Sequence, residues 1–329
     1  MQGNNDVQGD GNIVVNMADG DGQPRCGLCG GPMECASTRG LYVCNSCHVA
    51  ATWPQVSGEE LAALYGTYRN DVSGTRFVVL IEYFIRLFRY GRKRKIEKYV
   101  KKGKILDVGC GRGLFLHVME RGGWSVFGVE YDEETAVRVS RAYGIRVVAG
   151  SHGDWGFEPG SFDCVALFHV LEHLREPMAV LETCRNLLKP GGVLYVSVPN
   201  WDSLQAKAGK DKWFHLDLPY HLYHFTEKGL IKLIGNCGLE ILEIRRFDLE
   251  YAPYGWLQTL LNLSGTARNL LYDALRRPIE ALKGPHRGGL FLSLALLPIY
   301  VPLSLMLSLV ESYTLKMGGI VDVVAVKKE

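Results

Sequence analysis

The chain has 329 residues, 47% of them hydrophobic and 22% charged, and a formal net charge of +2. That is long enough for a full α/β domain with smaller attachments, and too balanced for a global attraction to polyanions, so any basic surface must be local. Nine cysteines, five of them crowded between Cys26 and Cys47, argue against a disulfide framework and for a metal site in a reducing compartment.

Residues 1–24 are rich in Gly, Asn and Asp and lack the basic and apolar regions of a signal peptide, so a disordered cytoplasmic tail is expected. Residues 25–56 hold Cys26-Gly-Leu-Cys29 and Cys44-Asn-Ser-Cys47, two C-x-x-C knuckles separated by a stretch that ends in a plausible strand, Gly40 to Val43. This is zinc-ribbon spacing. Four thiolates on two tight turns close a tetrahedral structural site, so Cys26, Cys29, Cys44 and Cys47 are the predicted Zn2+ ligands, with Cys35 and His48 as bystanders. A redox role would need a thioredoxin-like context and a single such pair. Residues 57–102 read as a helical linker: a short helix capped at Ser57 to Glu60, then a longer one from Phe77 to Lys102. The second half of that helix is basic, with Arg86, Arg89, Arg92, Lys93, Arg94, Lys95, Lys98, Lys101 and Lys102. Such a face is either a solvated flank or a holder of phosphates on a membrane, a nucleic acid or a phosphorylated substrate.

The main domain is expected over residues 103–249. Lys104-Ile-Leu-Asp107-Val-Gly109-Cys-Gly111-Arg-Gly113-Leu-Phe supplies a short apolar strand, a glycine-rich turn and a helix start. Glycines there allow positive φ and let a ligand lie against bare backbone. The third glycine of G-x-G-x-x-G would fall at Leu114, whereas Gly113 makes G-x-G-x-G, which favours a nucleoside carrying an amino acid over a pyrophosphate. Asp107 ends the first strand and suits an ammonium. A second strand, Ser125 to Val129, ends in Glu130, about 20 residues downstream, where a carboxylate accepts both ribose hydroxyls.

Residues 105–200 resemble the class I S-adenosylmethionine (SAM)-dependent methyltransferases, the seven-stranded Rossmann-like α/β family that includes the ubiquinone-type O-methyltransferases. The matching pieces are L-D-V-G-C-G-R-G (Leu106 to Gly113), V-E (Val129-Glu130), G-S-F-D (Gly160 to Asp163), H-V-L-E-H-L-R-E-P (His169 to Pro177) and L-L-K-P-G-G-V-L (Leu187 to Leu194). The resemblance implies SAM as cofactor, held by Asp107, Gly109, Gly111, Gly113 and Glu130, with Trp155 and Phe168 alongside. The family's adenine-reading loop usually offers an acid directly after a glycine. Here Gly150 is followed by Ser151, leaving the adenine contact open among Ser151, His152 and Asp154.

Polar residues just after the fourth and fifth strands face the acceptor in open α/β sheets. His169, Glu172 and His173 follow the fourth, and Asn200, Trp201 and Asp202 the fifth. H-x-x-E-H also occurs in inverted zinc peptidases, but the setting is a methyltransferase strand end and no third ligand is evident in the sequence. Related quinone O-methyltransferases carry acidic residues near this position that bind a divalent ion, which makes metal binding here a minor expectation. Trp213 to Thr226 packs aromatics and three histidines ahead of a helix capped at Thr226, the place of the acceptor lid in this family. Methyl transfer requires an aligned nucleophile and often a base, and the predicted catalytic residues are His173 and His221, then His224.

Leu239 to Phe247 and Gly319 to Val326 are the expected sixth and seventh strands, the latter within a final core segment, 317–329. Between them, residues 250–316 form an apolar helical insertion. The run Gly288 to Val310 holds no charge but is interrupted by Pro298 and Pro302, and a single membrane crossing would strand the last strand on the far side. A helical hairpin is expected, one that shields an apolar acceptor, dips into the cytoplasmic leaflet through residues 255–310, or serves as a dimer or core cover. The leading reading is a cytoplasmic SAM-dependent methyltransferase acting on a small-molecule or lipid-linked acceptor such as a sugar, polyketide or quinone-type intermediate, with peripheral contact at the inner membrane face as one option for the insertion. The alternatives are an RNA methyltransferase that grips phosphates with ribbon and basic helix, and a non-catalytic SAM-binding protein at the membrane.

Overall fold

A computed structural model describes residues 24–37, 40–53, 55, 60, 79–150, 153 and 155–328. The N-terminal tail, most of the short helix expected after Ser57, the start of the long helix at Phe77, and Ser151, His152 and Asp154 lie outside the described residues.

Strands β1 (Met33–Ser37), β2 (Leu41–Cys44) and β3 (Ala50–Thr52) belong to the cysteine region. Then come β4 (Lys104–Val108), β5 (Ser125–Glu130), β6 (Arg146–Ala149), β7 (Phe162–Phe168) and β8 (Leu188–Pro199). A short β9 (Tyr223–His224), then β10 (Leu239–Arg245) and β11 (Ile320–Lys327) complete the strands. The helices are α1 (Val79–Glu97), α2 (Leu114–Arg121), α3 (Glu133–Tyr143), α4 (Pro177–Leu187) and α5 (Leu204–Gly209). After these follow α6 (Glu227–Asn236), α7 (Ala252–Leu263), α8 (Leu270–Arg276), α9 (Pro278–Lys283) and α10 (Arg287–Leu309).

The large sheet has the order β10-β11-β8-β7-β4-β5-β6. β4 to β8 are parallel, and β11 runs antiparallel between β8 and β10. Strands in its middle read as unbroken apolar runs because both faces are covered. Leu106, Val108, Val165, Leu167, Leu194 and Val196 face one side, and Ile105, Phe115, Met119, Cys164, Ala166 and Tyr195 pack on the other. From β4 the chain builds outward to β5 and β6, then returns to start β7 on the opposite flank. A ligand crevice therefore opens at the carboxyl ends of β4 and β7.

The helix expected from Phe77 to Lys102 ends at Glu97, and its basic face does not simply meet solvent. Arg89 and Arg92 reach Glu250 at 2.6 and 3.1 Å, and Lys93 pairs with Glu97 at 2.7 Å. Lys95 bridges Asp248 and Asp322 at 2.7 and 3.0 Å, and Lys98 pairs with Glu243. Four of the nine cations singled out by sequence, Arg89, Arg92, Lys95 and Lys98, thus clamp α1 onto β10, β11 and the start of the insertion, while Lys93 pairs within the helix. Asp322 sits buried on β11, between β10 and β8, yet it accepts bonds from Tyr195 Oη (2.6 Å), Ser197 Oγ (2.7 Å) and Lys95 Nζ (3.0 Å). A buried carboxylate is tolerable when its oxygens are satisfied in this way.

The small sheet has the order β1-β2-β3-β9, so its fourth strand comes from the histidine-rich segment far downstream. Ala50 and Ala51 pair with His224 and Tyr223, and Thr52 N donates to Leu222 O at 3.0 Å. In the insertion the structure replaces the expected hairpin with four helices, α7 to α10, in which α10 packs along α7 and touches α8 and α9. The chain then returns to the sheet as β11.

Candidate functional site

The turn after β4 is shaped by backbone. Gly109, Gly111 and Gly113 have φ of +73°, +53° and +70°, a region that costs a residue with a Cβ about 1–2 kcal/mol. A Cβ on Gly109 would lie 2.3 Å from Val170 Cγ2, so packing demands that glycine; one on Gly111 meets no atom within 4 Å. Gly111 therefore faces open space, as bare backbone beside a ligand should. Gly111 N donates to Glu130 Oε2 at 2.7 Å, so the turn and the end of β5 are locked together. Burial pushes the Glu130 carboxyl up, opposed by the amides of Gly111 and Asp132.

Asp107 is buried on the face of β4 that looks toward α1. Burial pushes its carboxyl up to about 7, against the pull of Arg92 and Arg89. The Phe168 ring lies on the same face, edge-on to Phe115 (5.2 Å) and beneath the Arg92 guanidinium (4.4 Å). Trp155 is buried next to Gly150, and its Nε1 has no hydrogen-bond partner among the described residues. A buried and a half-buried carboxylate, an open glycine turn and an orphaned indole N–H fit a ligand with an ammonium, a ribose and a heterocycle, which is the donor set that SAM presents. Ser151 and Asp154, predicted beside it, fall outside the described residues.

Beyond β7 and β8 lies a cluster of buried and half-buried imidazoles. His173 and His221 meet edge to face at 4.6 Å, and His224 stands 6.1 Å from His221. His173 Nδ1 is 3.0 Å from Tyr220 O, and His224 Nε2 is 3.2 Å from Thr52 Oγ1, which itself donates to His221 O at 2.8 Å. The ribbon strand β3 thus holds two of the three histidines predicted to be catalytic. Desolvation lowers His173 to about 4 and His224 to about 3, and takes His221 well below the ordinary histidine value. All three are neutral at pH 7.

Glu172, next to His173, is fully buried, and neither carboxylate oxygen has a hydrogen-bond partner among the described residues; His169 Nδ1 lies 3.5 Å from Oε1. Burial pushes its carboxyl up to about 8. A third candidate ligand that the sequence did not reveal converges in space: potential ligand atoms of Glu172, His173 and His221 lie within 4.8 Å of one another.

Sequence reasoning placed His169 and His215 on the acceptor side but missed Arg92 and Tyr251 as parts of this cluster. His169 stacks on Tyr251 at 4.0 Å, His215 approaches the same ring, and Arg92 lies 5.7 Å from its centroid. A signal existed for Arg92, since Phe88, Arg92 and Ile96 fall at i, i+4 and i+8, on one helix stripe.

In the cysteine cluster, Cys26 Sγ and Cys47 Sγ are 3.6 Å apart and Cys29 Sγ and Cys44 Sγ 3.4 Å, with all four sulfurs within 4.8 Å of one another. A tetrahedral ion with Zn–S bonds of about 2.3 Å needs S–S edges of about 3.8 Å, so the set is compatible with zinc. Cys35 and His48 stay outside it.

A family described as Methyltransferase domain matches residues 76–244, more than half of the chain. A ubiquinone biosynthesis O-methyltransferase of Xanthomonas euvesicatoria pv. vesicatoria is 37% identical over 167 residues, 46% of this chain and 67% of that protein. The enzyme of the same name from Xanthomonas campestris pv. campestris (strain B100) is 36% identical over 104 residues, and the match spans 30% of this chain and 43% of that protein. Among solved structures, the phosphoethanolamine N-methyltransferase 2 of Haemonchus contortus, in complex with SAM, aligns with a TM-score of 0.49 and 14% identity over 73% of this chain and 53% of that one. The sheet order, read with the domain match, leaves one assignment: the chain belongs to the class I family of SAM-dependent methyltransferases.

Proposed function

We propose that the chain transfers the methyl group of SAM to a small-molecule or lipid-linked acceptor, of the sugar, polyketide or quinone-intermediate kind. The supporting observation is the cluster of imidazoles and aromatic rings just past β7, a segment that reaches the glycine turn through Val170 against Gly109. A polynucleotide would need an open basic groove, and much of the basic face of α1 that could form one is spent on Glu243, Asp248, Glu250 and Asp322. In this reading Asp107 faces the ammonium of the cofactor, Glu130 accepts its ribose hydroxyls, and Ser151, Asp154, Trp155 and Phe168 border the rest. Bound SAM supplies an electrophilic methyl group on a sulfonium. His221, with His173 oriented by Tyr220 O, accepts the acceptor's proton, for which a neutral imidazole is the required form. His224, tied to Thr52, keeps the segment in register.

A second reading of the same residues is favoured by the partnerless oxygens of Glu172. One carboxylate and two neutral imidazoles suit a divalent cation, which would bind an acceptor hydroxyl and lower its pKa. Restoration of chelated enzyme by Mg2+ or Mn2+, in the absence of added Zn2+, favours this reading over a histidine base. The four cysteines are proposed to hold a structural Zn2+.

The test is incubation of purified protein with labelled SAM and separate lipid, RNA and soluble fractions of a cell extract. Label in the lipid or soluble fraction is the expected result, and label confined to RNA overturns the reading. His221→Ala should abolish turnover while S-adenosylhomocysteine still binds; unchanged turnover removes His221 from the mechanism.

A further inference from the structure

The polarity of α10 is reversed for a helix that faces water. Its covered stripe carries Ser293, Ser304 and Ser308, exposed by 0%, 2% and 0%, and is continued by the buried Glu311 just past its end. Its open side carries Phe291 (61% exposed), Leu292, Leu294, Ile299 (62%), Val301 and Met306. A surface helix of a water-soluble protein does the opposite, turning its apolar stripe inward. The serines need nothing from their neighbours, because each hydroxyl donates to its own helix at 2.8 Å: to Gly289 O, Val301 O and Leu305 O. Small side chains with internally satisfied hydroxyls let α10 lie close against α7, the mode of packing that helices use when the outer medium is apolar.

The outer face is long as well as apolar. No residue from Gly288 to Val310 is charged, and α10 with the turn that follows, Arg287–Thr314, is long and apolar enough to cross a bilayer. The ends of the helix exclude crossing. α9 precedes it, and at its other end Glu311 accepts from Gln205 N (3.2 Å) and Gly319 N (2.9 Å), which returns the chain to the sheet at β11. Both termini are held on the same body, so the helix can only lie flat on a surface.

Two occupants could cover such a face, a second copy of the chain or a lipid surface, and the charges at its ends separate them. Lys283 is exposed before α10, near an exposed Glu280 that pairs with Arg277 at 3.5 Å, Arg287 is exposed at its first residue, and Lys316 is exposed after it, where the nearby acid, Glu311, is buried. Pairing with a second copy sets cation against cation, Arg287 on Arg287 if parallel and Arg287 on Lys316 if antiparallel. Anionic headgroups meet all three favourably. Tyr313, 66% exposed at the Lys316 end, places an amphipathic ring where headgroups would lie.

We infer that α10 lies in the plane of an anionic membrane interface, with its Phe291–Ile299–Met306 side in the acyl boundary and Lys283, Arg287 and Lys316 among the headgroups. The docking surface is separate from the cofactor and acceptor sites, so it stands or falls independently of the acceptor's chemistry.

The experiment is flotation of the full-length protein, purified in mild detergent and diluted below its critical concentration, with vesicles of phosphatidylcholine alone or mixed with phosphatidylglycerol. Flotation separates binding from aggregation, because aggregates sink. Wild-type protein should float with the mixed vesicles, less with phosphatidylcholine alone, and less as salt is raised. The triple variant Phe291→Glu, Ile299→Glu, Met306→Glu alters only exposed side chains. It should lower the floating fraction at least about tenfold while its thermal midpoint and S-adenosylhomocysteine binding stay at wild-type values. Three results overturn the inference. Wild-type protein that stays at the bottom with both vesicle types is one, and a triple variant that floats as well as wild type is another. The third is a dimer in sedimentation velocity without vesicles that the triple variant splits into monomers, which makes a second copy the occupant.

Discussion

Replacing Gly111 with alanine separates the demands of the fold from those of the cofactor. At φ +53° an alanine sits in the left-handed helical region at a cost of about 1–2 kcal/mol, and its methyl meets no protein atom within 4 Å. At about 2–4 °C per kcal/mol for a domain of this size, the ligand-free midpoint should fall by about 2–8 °C. If the open space beside Gly111 is where the cofactor lies, the same methyl overfills a close contact at about 1–3 kcal/mol, a loss of about 5- to 150-fold in S-adenosylhomocysteine affinity. Gly109→Ala provides the contrast. Its Cβ would collide with Val170 Cγ2 at 2.3 Å in addition to the strain at φ +73°, so stability should fall further than in Gly111→Ala. Differential scanning calorimetry and isothermal titration of both variants measure the two effects. Wild-type affinity in Gly111→Ala would falsify the placement of the cofactor against this turn, and a larger stability loss in Gly111→Ala than in Gly109→Ala would refute the geometry of the turn itself.

Asp107 should make ligand binding pH-dependent. Its carboxyl is raised to about 7 and must be ionised to hold an ammonium, so affinity should fall as pH drops below about 7, approaching tenfold per unit, and Asp107→Asn should flatten the profile. The stability of the ligand-free fold has the opposite sign. A carboxyl raised in the folded state stabilises most fully below its unfolded value of about 3.9, and that stability is lost as pH rises through about 7. Stripping the cysteine cluster of metal, or Cys44→Ser, should loosen β3 against β9 and reduce turnover, with S-adenosylhomocysteine titrations unchanged; turnover that survives metal loss, verified by elemental analysis, sinks the bracing role. Asp322→Ala should cost about 3–5 kcal/mol, because it leaves Tyr195 and Ser197 unpartnered inside the sheet and Lys95 with Asp248 alone, and a urea midpoint close to wild type would refute that reading of the buried network.

Legibility followed sequence distance. The glycine turn, its flanking strands and Glu130 were readable because strand, turn and helix start are local patterns, and Glu130 lies a fixed step downstream. The two cysteine knuckles were readable for the same reason. Their junction with β9 was not, since Thr52 and His221 are 169 positions apart and nothing in either segment names the other. The basic half of α1 misled in part, because charge is visible in a sequence while its partners at Glu243, Asp248, Glu250 and Asp322 are not. For α10 the spacing of Ser293, Ser304 and Ser308 marks one stripe, but only α7 lying against that stripe shows that the apolar side is the open one.

The amino-acid order alone determined the family resemblance, the sheet-forming segments, the glycine turn with its two acids and the four-cysteine set, because each depends on residues within one or two elements, where backbone geometry couples near neighbours. Tertiary structure alone decided that the ribbon braces the histidine segment, that Glu172, His173 and His221 converge, that α1 spends much of its charge inward, and that the last helix turns its serines in and its apolar side chains out. These depend on which surfaces meet when distant segments pack, and that outcome is set by the summed burial and charge pairing of the whole chain.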